Sequence, residues 1–123
     1  MRRMLVAVGL TVWAASAMAD GNTLLQLCRS LIPVLEKGST VGFSSDDLFK
    51  AGRCHGLIEG TIRTANLMDK VYEKEPSICI PADVSPLQLA KVVVKFVEDN
   101  PKSLSQSETG LIANAVFENY LCE

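Results

Sequence analysis

Ala51-Gly52-Arg53-Cys54-His55-Gly56-Leu57-Ile58-Glu59-Gly60 is the stretch whose reading decides the fold. Its three glycines recur at every fourth position, so on a helix Gly52, Gly56 and Gly60 share one face. Each costs roughly 1 kcal/mol of helix propensity relative to alanine. Three such costs on one face predict that another backbone packs closely there, from a later helix or from a second subunit. Cys54 sits inside the run, placed to tie this helix to a neighbour. The stretch reads as the central strut of a small helical domain.

Outward from the strut, the periodicity is helical on both sides. Asn22 offers a cap for a first helix from Thr23 to Glu36, with Leu24, Cys28, Leu31 and Leu35 as its apolar stripe. Pro33 inside it predicts a bend or an early end, and Gly38 a C-cap. After a loop to Ser44, Ser45 caps a second helix from Asp46 to Tyr72. Ala51, Cys54, Ile58, Ile62 and Ala65 predict its buried stripe, extended by Leu57, Met68 and Val71. At ~1.5 Å per residue such a helix approaches 40 Å, long enough to expect a kink.

Glu73-Lys74-Glu75-Pro76 ends that helix. Ser85-Pro86-Leu87-Gln88 is a strong third start, with serine as cap, proline in the first turn and glutamine closing a capping box. The box, with Lys91 and Lys95 one turn apart, outweighs the β-branched content up to Asp99. Lys102-Ser103-Leu104 is a polar turn after Pro101. Ser105-Gln106-Ser107-Glu108 reads as a capping box for a last helix to Tyr120, with Leu111, Ile112, Ala115, Val116 and Tyr120 inward. The fold class is all-α, a small bundle of about four helices in one domain.

The chain starts Met1-Arg2-Arg3, follows with an apolar run from Met4 to Ala15, and then reads Ala17-Met18-Ala19. That order is a secretory signal peptide over residues 1–19, and the run is shorter than the ~20 residues of a membrane span. Residues 20–123 form the mature domain. Without Arg2 and Arg3 it keeps ten basic residues against fourteen acidic ones, a net charge of about −4. An acidic balance argues against nucleic acid or anionic lipid as partner.

Cys28, Cys54, Cys79 and Cys122 all lie in the mature domain, and an even count in a small exported chain implies disulfides. In an antiparallel hairpin of the first two helices, Cys28 and Cys54 each lie ~12 Å from the hairpin end. A third helix returning from the far end of the second then brings Cys122 near Cys79. The expected pairs are therefore Cys28–Cys54 and Cys79–Cys122. No cofactor, metal or catalytic set is expected: the one histidine, His55, adjoins Cys54, and helix neighbours point about 100° apart.

Gly52-Arg53-Cys54-His55-Gly56-Leu57-Ile58-Glu59-Gly60, then Cys79-Ile80-Pro81, Ser85-Pro86-Leu87-Gln88, Val97-Glu98-Asp99-Asn100-Pro101 and a final Cys122 occur in the order of one family. The chain resembles the Rap/Tai immunity proteins, which protect bacteria against type VI secretion amidase effectors. It departs from the usual family pattern at Leu57, Ile78 and Leu121, where tyrosine, an aromatic residue and proline are common. The resemblance implies a periplasmic, non-enzymatic, disulfide-braced homodimer. Such a protein binds a peptidoglycan amidase and plugs its cleft with a projecting loop. The matching segment here is Asp99, Asn100, Lys102, Ser103, Leu104 and Ser105. The loop from Ser39 to Ser44, with Phe43 exposed, is a second candidate surface. A small periplasmic stress chaperone of the HdeA kind is the competing expectation.

Overall fold

The structure is a computed structural model that describes residues 20–123; the expected leader, residues 1–19, lies outside the described residues. Four α-helices follow in order: α1 (Gly21–Lys37), α2 (Ser45–Val71), α3 (Pro86–Asp99) and α4 (Glu108–Tyr120). A single 3₁₀ turn, Pro101–Ser103, stands between the last two. No strand is present among the described residues, where an isolated bridge joins Ile78 to Leu121. None of their helices is long and apolar enough to cross a membrane.

The helix starts are set by side-chain caps, and three differ by position from the sequence expectation. Asp20, not Asn22, caps α1, its carboxylate accepting from the amides of Asn22 and Thr23. Ser44, not Ser45, caps α2, and Asp47 completes the box. Ser85 and Gln88 close the α3 box as expected. The α4 box is absent: Ser107 is the cap, its hydroxyl accepting from Gly110, so Glu108 falls at the first helical position rather than the third. α1 runs on through Pro33 to Lys37. Pro33 is on the exposed side, where water can take the carbonyl its ring leaves free. α2 is one continuous helix. It stops in a Schellman turn, with Glu73 in the left-handed region (φ 51°) that glycine usually fills.

One core joins the helices. Leu24, Leu27, Cys28 and Leu31 of α1 meet Ala51, Cys54 and Ile58 of α2, with Val93 and Val97 of α3 and Leu111, Ile112, Ala115 and Val116 of α4. Cys28 is bonded to Cys54, fully buried, and Cys79 to Cys122, with Cα atoms 5.0 Å apart in each pair. Ion pairs Lys91–Glu36 (2.8 Å) and Arg29–Glu98 (2.7 Å) set α3 antiparallel to α1. α3 thus begins beside the end of α1 rather than at the far end of α2. Residues 72–85 carry the chain back along the bundle, and Cys79 meets Cys122 on that return path.

The buried stripe of α2 is shorter than its periodicity predicts. Ala51, Cys54 and Ile58 are buried, whereas Leu57, Ile62 and Ala65 are half-buried and Met68 and Val71 exposed. α2 has 27 residues and its neighbours 13 to 17, so they cannot cover its whole length.

Candidate partner-binding surfaces

The turn after α3 is held by its own backbone. Asn100 ends α3 by donating its side-chain amide to the carbonyl of Phe96 (2.8 Å), and its own carbonyl accepts from Ser103 (2.9 Å). Gln106 donates back to Ser103, and the amide of Gly21, first residue of α1, donates to the carbonyl of Leu104 (2.8 Å). Leu104 packs half-buried against the core. The six expected residues therefore divide. Asn100, Ser103 and Leu104 build the turn, while Asp99, Lys102 and Ser105 face water on its outside. Asp99 is paired with Lys95 at 2.6 Å. A shallow cavity of about 160 Å³, lined partly by Asp99, Asn100, Phe96 and Glu118, lies against the base of this turn.

Between α1 and α2 the second expected surface is present in altered form. Phe43 is half-buried, its ring under the ammonium of Lys37 at 5.4 Å, a cation–π contact. The same ammonium bonds the carbonyl of Val41. Fixing Phe43 leaves Val41 and Phe49 as the exposed apolar side chains of this end. Phe49 gave no signal in the sequence because it lies off the α2 stripe of Ala51, Cys54 and Ile58.

The glycine expectation needs correcting within the chain. A β-carbon added at Gly52, Gly56 or Gly60 meets nothing within 4 Å, so no helix among the described residues packs on that stripe. α2 turns these positions outward because Ala51, Cys54 and Ile58, on another face, take the core. Gly56 and Gly60 instead form the floor of an open, apolar groove of about 610 Å³, walled by Thr61 and Ala65 of α2 and Gly110 and Ala113 of α4.

Near the groove, Arg53 of α2 reaches Glu108 of α4 at 3.6 Å. Glu108 is buried, and its second carboxylate oxygen has no hydrogen-bond partner among the described residues. A buried carboxylate held by one long ion pair is a costly arrangement. Its sequence signal was misleading, since Glu108 reads as a capping residue.

A family model described as Rap1a immunity proteins matches residues 20–122, which include all four helices and both disulfides. Neither a curated protein nor a solved structure matches the chain.

Proposed function

The chain belongs to the Rap1a immunity protein family, and on that premise we propose that it is a periplasmic inhibitor of one peptidoglycan amidase effector. Its signal peptide, residues 1–19, delivers it to the compartment in which such an effector acts. It performs no chemistry of its own; it occludes the effector's cleft. As part of the same reading it acts as a homodimer.

The observation that carries the proposal is the family match over the whole helical domain. The braced turn at Asn100–Ser105 supports occlusion as the mechanism. A plug must enter a cleft without first losing much conformational freedom, and a turn tied to α1 and α3 has little left to lose. Asp99, Lys102 and Ser105 are the side chains it offers.

The test is inhibition of peptidoglycan cleavage by cysteine-histidine peptidoglycan amidases, using mature residues 20–123. Stoichiometric inhibition is expected. Lys102→Glu combined with Ser105→Arg should weaken it at least tenfold, at unchanged helical circular dichroism. Full activity of the amidase beside excess protein, with protection of unfolded clients at low pH instead, would replace this reading by the chaperone.

A further inference from the structure

We infer that the Cys79–Cys122 bond is a redox-released clasp. A dithiol reductant opens it alone, freeing residues 72–85 and the carboxyl end while the four helices stay packed. This device is independent of amidase inhibition, because it concerns how the chain is held rather than what it binds.

The two bonds differ in what a thiolate must do to reach them. Cys28 and Cys54 are fully buried where α1 packs on α2, so those helices must part before a donor can attack. Cys79 is exposed and Cys122 half-buried, and attack there needs no helix to move. A donor thiolate attacks Sγ of Cys79, forming a mixed disulfide and releasing Cys122 as a thiolate, which takes up a proton. The donor's second thiol then displaces Cys79, which is protonated in turn. Two electrons and two protons pass to the protein, and the donor leaves as its own disulfide.

Little besides this bond holds the segment it clasps. Its pairing with the carboxyl end is a single bridge. The amide of Cys79 donates to the carbonyl of Tyr120 (2.8 Å), and that of Cys122 to the carbonyl of Ser77 (3.1 Å). Even a complete isolated hairpin is only marginally stable in water, and one bridge is less than a hairpin. Leu121, which stands opposite Ile78, is 63% exposed and adds little apolar cover. Of residues 72–85, Ile78 alone is buried. A further anchor is Ser77, whose amide and hydroxyl donate to the Asp69 carboxylate at 2.8 and 2.9 Å.

The helices have support of their own, in the shared core and in the buried Cys28–Cys54 bond. No hydrogen bond of the Asn100–Ser105 turn comes from residues 72–85. Opening the clasp is therefore a local event that leaves the body of the bundle in place. It bares Ile78 and turns the already exposed Tyr72–Pro76 stretch into freed backbone, the form that a protease cuts. The redox state of one bond thus sets how long the chain survives.

The test titrates the mature protein with dithiothreitol. Cys79–Cys122 is expected to open at a dithiol concentration at least tenfold below that of the buried bond. The amides of Ser77, Cys79 and Cys122 should then exchange hydrogen nearly as fast as a free peptide, with α1 amides at least tenfold slower and the helical circular dichroism unchanged. Trypsin should cut after Lys74 at least fivefold faster than in the oxidised protein. Cys79→Ser combined with Cys122→Ser should show the same exchange and cleavage without any reductant. Two bonds that open together, or a helical signal lost with the clasp in either protein, overturn the inference. So does a selectively opened chain in which those three amides and the Lys74 bond stay as protected as before.

Discussion

Gly21 is a glycine that packing, rather than backbone conformation, requires. A β-carbon there would lie 2.8 Å from Cδ2 and 3.0 Å from Cα of Leu104, and 3.1 Å from Cδ1 of Leu111. Backbone cannot yield as a side-chain tip can, so Gly21→Ala should destabilise by about 1–3 kcal/mol in urea unfolding. Gly52→Ala, in an exposed helix interior with nothing nearby, should instead stabilise by about 0.5–1 kcal/mol. For a domain of this size that is a rise in Tm of roughly 4–8 °C per kcal/mol. The contrast shows where sequence reading ends. Spacing made Gly52, Gly56 and Gly60 conspicuous, but their neighbours are not written in their spacing. Gly21 gave no signal, because its crowding comes from a loop far along the chain. The Arg53–Glu108 pair was illegible for the same reason. Arg53→Ala should cost about 1–3 kcal/mol by leaving a buried carboxylate unpaired. Arg53→Met with Glu108→Leu should recover most of that loss, since an apolar pair has no charge to strand. A double-mutant cycle by urea unfolding reads both.

Among the elements, α3 was legible to the residue, because its cap, proline and glutamine all act within one turn. α2 was legible in extent but not in cover. Periodicity announces an apolar face without naming what lies on it, so Met68 and Val71 read as core and stand in water. The direction of α3 was misread because a connector of fourteen residues is long enough to return along the bundle, and no local signal says whether it does. The two disulfides brace different things. Cys28–Cys54 joins α1 to α2 within the core; Cys79–Cys122 clips the return segment to the end of α4, where Cys79 is exposed and Cys122 half-buried. Exchange needs access for the attacking thiolate. Mild reduction followed by alkylation should therefore label Cys79 and Cys122 while Cys28 and Cys54 stay bonded, as peptide mapping would show. Replacing Cys79 and Cys122 by serine should cost about 4 kcal/mol in the chain-entropy model.

For the molecule as a whole, the groups with displaced titration all lie at the surface. The hydroxyl of Ser44 holds the Asp47 carboxyl below its usual 3.8. The carboxylates of Asp46 and Asp99 raise Lys50 and Lys95 above 10.5. A lowered acid contributes stability above its unfolded value, lost as pH falls through the folded one. A raised lysine contributes below its unfolded value, lost as pH climbs through the folded one. Unfolding midpoints should therefore be nearly level from about pH 5 to 9, and weaken below pH 4 and above pH 10. A midpoint that collapses between pH 5 and 7 would contradict this. The bond from Gly21 to Leu104 also governs how the protein should be handled. Whatever is fused ahead of Asp20 emerges beside the Asn100–Ser105 turn, whereas a fusion after Glu123 emerges beside Ser77 and Cys79. An affinity tag or fluorescent reporter at the amino end would shade the very knuckle under assay, so such labels belong at the carboxyl end.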